Sequence, residues 1–267
     1  MVFARIALAL STMQNRVTRA LYALTAAALV AGGASVVAKP APQALAPDPA
    51  VVREAVVQVY GARTLGVKGL FGVHTWIAAK PTDAREWTVY EVIGWRMRWS
   101  QPVVVVRNRA PDAPWFGSEP QLYADKRGAG VDELIARIEA VVKSYPYSNS
   151  YTLWPGPNSN TFTAWVARAV PELEVDLPAT AIGKDFIGNA VVSSAPSGSG
   201  VQFSLAGLLG FSASPIEGFE LNILGLNFGV SPTGVKLPLV GRIGAPHFAS
   251  SALAVQASPA TPETAKP

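Results

Sequence analysis

The chain has 267 residues, 49% of them hydrophobic and 15% charged, against about 25% charged in an ordinary soluble domain. It is long enough to bury a sizeable core in one domain. A net charge of +4, with the Lys and Arg residues scattered, excludes a nucleic-acid-binding stripe. The absence of cysteine removes disulfides, thiolate metal sites and thiol nucleophiles, and with only His74 and His247 no metal or cofactor is expected.

In chain order, residues 1–12 fit poorly ahead of a leader, whereas a start at Met13 gives a short basic one. Arg16 and Arg19 then precede the uncharged apolar run Leu21 to Ala38, so 13–38 reads as a signal peptide or N-terminal membrane anchor. A buried core helix is the plainer alternative. The expected location is the periplasm, or the inner membrane facing it. Residues 39–50 form a Pro/Ala linker, 51–247 a single globular domain, and 248–267 a disordered tail.

Within the domain, residues 51–62 read as a strand ending near Gly61, and 72–80 alternate as a half-buried strand. Residues 87–95 and 102–109 add two more, with PTDARE as the hairpin loop between the second and third strands. Residues 130–145 place Val131, Leu134, Ile135, Ile138, Val141 and Val142 at helical spacing. A second helix, TFTAWVARAV, follows PGPNSN, whose Pro and Asn residues stop one segment and cap the next. The later runs VQFSLAGLLGF, GFELNILGLNFGVS and VKLPLVGRIG are further strands at the sheet edge or in a small flanking sheet. The fold class is α+β, an antiparallel sheet with packed helices.

Two segments carry chemistry. His74 sits in a strand, and Ser159 sits at the mouth of a helix, where unpaired N–H groups and the positive dipole end favour an oxyanion. Ser159 as nucleophile, His74 as general base and Glu91, on the following strand, as the group orienting the imidazole form the candidate catalytic set. Each also has a plain structural reading: helix capping for Ser159, a hydrogen-bonded strand histidine for His74, and a solvent-facing Glu91. Trp76, Tyr151, Trp154, Asn158 and Asn160 are the candidate substrate-binding residues, with Tyr145 and Tyr147 crowding the same approach; aromatic packing is the alternative. Lys184 and Asp185 in AIGKDF lack a phosphate-loop string.

The segments VVQVYGARTLGVKGLFGVHTWIAAKP, YEVIGWRMRW, PWFGSEP, SYPYSNSYTLWPGPNSNTFTAW, PATAIGKDF and APSGSGVQFSLAGLLG closely resemble a bacterial family known as domain of unknown function 3750. That resemblance supplies no activity. More distantly, a strand histidine, a polar residue on the next strand and an N-x-N-T-F helix start are similar to the circularly permuted papain-like domains: NlpC-type, lecithin retinol acyltransferase and PPPDE peptidases. Those families show Asn-Cys-x-x-Phe with cysteine as the nucleophile; Asn158, Ser159 and Phe162 fall on that string with serine in the cysteine's place. The resemblance implies a hydrolase or acyltransferase acting on amide or ester bonds of a small-molecule, lipid or peptide ligand. The alternative is a non-catalytic envelope module that binds through the same cleft, because serine is a far weaker nucleophile than cysteine without a matched base.

Overall fold

The computed structural model describes residues 44–66 and 68–245. The expected start, leader, tail and His247 lie outside the described residues, as do linker residues 39–43. At the start of the described chain the backbone N–H groups of Leu45 and Ala46 donate to the Asp112 carboxylate at 2.9 and 3.1 Å. Among the described residues no helix is long and apolar enough to cross a membrane.

The first sheet contains β1 (Val56–Arg63), β2 (Val73–Lys80), β3 (Thr88–Val92), β4 (Val104–Asn108) and β5 (Gln121–Arg127). Their order is β4-β3-β2-β1-β5 and every pairing is antiparallel. A short helix, α1 (Lys68–Phe71), joins β1 to β2. The two faces follow from strand alternation. Val57, Val59, Ile77 and Tyr90 point to one side, where they pack on α2 (Val131–Lys143) and α3 (Ser159–Ala169) through Ile135, Ile138, Phe162 and Val166. Each such burial contributes about 1.5–3 kcal/mol. Tyr60, Trp76, Ala78 and Val89 point to the other side, under a cover that includes Leu45, Val52 and Trp115.

The later strands do not extend the edge of the first sheet; they form a separate sheet, as the flanking-sheet alternative expected, and a larger one than expected. β6 (Val192–Ser193), β7 (Val201–Leu205), β8 (Leu209–Ser214), β9 (Gly218–Ile223), β10 (Leu226–Ser231), β11 (Gly234–Leu237) and β12 (Gly241–Gly244) form a seven-stranded meander of their own, each strand paired with the next. Its interior face is polar. Gln202, Ser204, Ser212, Glu220, Asn222, Asn227 and Lys236 are buried, while the intervening apolar residues face outward. The inversion has a cause in the segment beneath, which carries Asp176, Lys184 and Asp185. Glu220 pairs with both Lys184 and Lys236, Lys236 also pairs with Asp176, and Asn222 donates to Asp185 at 3.0 Å. Lys184 and Asp185 thus serve a buried ionic network, and charges this deep require such partners.

Candidate functional site

β2 and β3 pair only as far as Trp76 opposite Glu91. Beyond that point β3 parts from β2 while staying paired with β4 through Val92, and a 3-10 turn (Gly94–Trp99) follows, which leaves the Val73–Thr75 stretch of β2 without a β3 partner. The start of α3 docks on this stretch. Asn160 Nδ2 donates to the Val73 carbonyl at 3.1 Å, and Thr75 Oγ1 donates to Asn160 Oδ1 at 3.0 Å, with the Ser159 carbonyl 3.4 Å from the same hydroxyl. The helix begins here because Asn158 caps it: Asn158 Oδ1 accepts from the N–H groups of Asn160 and Thr161, and Thr161 Oγ1 accepts from the Asn158 N–H. Gly183 packs on that cap with φ of +95°, and a Cβ there would collide with the Asn158 side chain. Only glycine fits both demands.

Alternation along β2 sends Thr75 toward the helix and His74 to the opposite face, beside Glu91. His74 Nε2 lies 3.1 Å from Glu91 Oε2. The second carboxylate oxygen accepts from Arg107 Nη2 at 2.8 Å and Nε at 3.1 Å, with Arg109 Nε at 3.5 Å. Trp115 stacks on the imidazole with centroids 3.9 Å apart, and the Arg109 guanidinium lies over Trp76 at 5.1 Å. Burial alone would raise the Glu91 pKa, but the contacts with His74, Arg109 and Arg107 outweigh it and hold the carboxyl at about 2. Burial holds His74 below its ordinary value despite Glu91. A neutral imidazole therefore donates Nε2–H to an ionised Glu91, which leaves Nδ1 as a free acceptor.

His74 and Ser159 line one cavity of about 820 Å³, with Tyr151, Trp154, Trp95 and Trp115 among its walls. Among the described residues no hydrogen bond joins His74 to Ser159, and Ser159 Oγ has no hydrogen-bond partner. The helix N–H groups expected to receive an oxyanion are mostly engaged, since those of Asn160 and Thr161 serve the Asn158 cap. Ser159's own N–H is the one left in the first turn.

Other sequence-based expectations need correction. Glu91 does not face solvent; it is fully buried. Trp76 does not line the cavity: it is buried, stacked on Tyr60 at 5.8 Å, and donates to the Pro111 carbonyl. Asn158 and Asn160 border the cavity, but their side chains are spent on Leu153, Ile182, Val73 and the helix cap. Trp154 stands half exposed at the mouth, anchored through Nε1 to the Leu224 carbonyl. Sequence reasoning missed Arg107, Arg109 and Trp115. The available signal for the arginines was the alternating RNR string at the end of the strand after Glu91, which places Arg107 diagonal to the strand carboxylate.

Residues 54–186 match the family described as Protein of unknown function (DUF3750). The chain belongs to this family. The DUF3750 match takes in His74, Glu91, Arg107, Trp115 and Ser159, and it ends at Phe186, before the second sheet begins. No curated protein matches the chain. No solved structure matches it either.

Proposed function

We propose that the DUF3750 region is a hydrolase or acyltransferase acting on an amide or ester bond, with Ser159 as nucleophile, His74 as general base and Glu91 as the residue that positions the base. The observation that carries this reading is a buried, doubly braced Glu91–His74 pair that borders the same cavity as Ser159, the first residue of α3. The order of these residues also resembles that of the permuted papain-like domains, with serine where those have cysteine, and this likeness supports the reading.

In the proposed reaction a substrate carbonyl enters the cavity and the Ser159 hydroxyl turns onto His74 Nδ1. Oγ gives its proton to Nδ1 and attacks the carbonyl carbon, and Ser159 N–H donates to the oxyanion. The leaving amine or alcohol takes the proton from His74 as the bond to the acyl carbon breaks. Water, or an acceptor hydroxyl or amine, then releases the acyl group from Ser159 by the same proton path. Glu91 fixes the imidazole tautomer and stabilises the imidazolium. The uncharged Leu21 to Ala38 run supports a location at the cell envelope.

A second reading, a binding module without catalysis, is favoured by the missing His74–Ser159 hydrogen bond. Labelling with a fluorophosphonate separates the two. The expected result is one covalent adduct, mapped to Ser159 by peptide mass spectrometry and lost in Ser159→Ala and His74→Ala proteins that still fold. A folded wild type that takes no label leaves the binding module.

A further inference from the structure

The outward face of the second sheet is built from three apolar rows running across the strands. Val201, Ala213, Phe219, Val230, Val235 and Ile243 stand opposite one another from β7 to β12. Phe203, Phe211, Leu221 and Phe228 form the second row, and Leu205, Leu209, Ile223 and Leu226 the third. Phe211, Phe219 and Val230 are 44%, 56% and 64% exposed, and no position in the three rows carries a charge or a polar side chain. With strands about 4.8 Å apart and residues about 3.4 Å apart, the face covers roughly 500 Å² in projection. A patch this large and this uniformly apolar marks an interaction surface.

The face continues toward the cavity mouth. Leu224, at the β9–β10 turn, is 62% exposed and holds Trp154 through its carbonyl. The Arg63 guanidinium bridges the carbonyls of Leu70 and Leu239, two more exposed apolar residues. Among the described residues the charged ones lining the cavity, Lys68 and Arg98, are cationic, and none is Asp or Glu. Trp95 and Trp154 on the cavity wall stand exposed, as indoles do where hydrocarbon meets headgroups.

We propose that this face docks on a lipid bilayer carrying anionic headgroups, with the apolar rows entering one leaflet and Lys68 and Arg98 facing the headgroup phosphates. The strands have two to six residues, whereas a bilayer-spanning strand needs about nine to eleven, so the sheet lies in the surface and does not cross it. Charge decides between lipid and a second copy of the chain. An identical copy presents the same uncharged rows and the same cations and offers those cations no partner, while anionic headgroups supply one.

The test is flotation of the full chain with vesicles of phosphatidylcholine alone or mixed with phosphatidylglycerol, comparing wild type with Phe211→Glu/Phe219→Glu and with Lys68→Glu/Arg98→Glu. The N-terminal apolar run is common to all three proteins, so differences report the folded part. All the replaced side chains reach solvent, and circular dichroism confirms folding. The expected result is at least a tenfold loss of vesicle partitioning for the phenylalanine variant with both compositions, and a loss confined to the phosphatidylglycerol vesicles for the cation variant. Equal flotation of wild type and the phenylalanine variant overturns the proposal. So does a lipid-free wild-type dimer in analytical ultracentrifugation that the phenylalanine variant converts to monomer, which assigns the face to a second copy.

Discussion

Replacing Glu220 with glutamine is expected to lower the unfolding free energy by about 3–5 kcal/mol, the range for removing one partner from a buried ion pair. Glu220 places one carboxylate oxygen on Lys184 and the other on Lys236, and all three side chains are buried beneath the second sheet. Those lysines overcome the effect of burial on Glu220 and hold its pKa below the ordinary value. A glutamine keeps the shape but leaves two buried ammonium groups short of one negative charge. Asp176 still serves Lys236, whereas Lys184 is left with Asp185 at 3.8 Å. The loss therefore falls mainly on Lys184, and adding Lys184→Met to Glu220→Gln should recover part of it. Urea unfolding followed by circular dichroism reads both effects. A change under about 1 kcal/mol would mean that the lysines are not held as described.

Glu91→Gln is expected to slow fluorophosphonate labelling by about 10⁴-fold, the order of loss when the carboxylate that holds a catalytic histidine in its tautomer becomes an amide. The amide can no longer stabilise an imidazolium, and it leaves Arg107 and the partly buried Arg109 without their anion. The same pair sets the wild type's response to acid. His74 is held below its ordinary 6.5 and Glu91 at about 2, below its ordinary 4.5. Below pH 6.5, and again below 4.5, the unfolded chain takes up protons that the folded chain resists, so stability falls as pH falls. The His74 contribution is complete above 6.5 and is lost as pH drops through its lowered folded value. The Glu91 contribution is complete above 4.5 and is gone by about 2. Thermal unfolding between pH 7 and pH 3 should show this loss, and Glu91→Gln should flatten its lower part. A wild-type midpoint that does not move over that range would contradict the pairing.

Much of the first sheet was legible because its strands alternate and its helices keep a helical period. His74 and Glu91 were readable as polar residues inside apolar strands, and Ser159 as a residue at a helix start. β5 was not legible: QLYADKR carries three charges in seven residues, and their partners, Arg127 for Asp125 and the distant Glu174 for Lys126, appear only in three dimensions. Trp76 and Trp154 look alike in sequence, yet one lies under the sheet and the other at the cavity mouth, because face and depth depend on which strands come to neighbour them. The second sheet shows the same limit more sharply. Its period of two is plain from Val201 to Ile223, but hydrophobicity alone would place the phenylalanines inside. The inward turn of Glu220 and Lys236 depends on Lys184 and Asp176, which lie 36 and 60 residues away. Arg107 and Arg109 were missed for a related reason: their value lies in the Glu91 charge one strand over.

The central claim is that the Glu91–His74 pair activates whatever nucleophile stands at position 159. Because the chain has no cysteine, the most direct test is Ser159→Cys, which places a single thiol there. Its rate of alkylation by iodoacetamide is followed from pH 5 to pH 10. The expected result is a thiolate formed well below the ordinary thiol pKa of about 8.5, with alkylation at pH 6 at least tenfold faster than that of a free thiol, and a return to ordinary behaviour when His74→Ala is added. An alkylation profile at or above the ordinary thiol value, unchanged by His74→Ala in a folded protein, would contradict the claim.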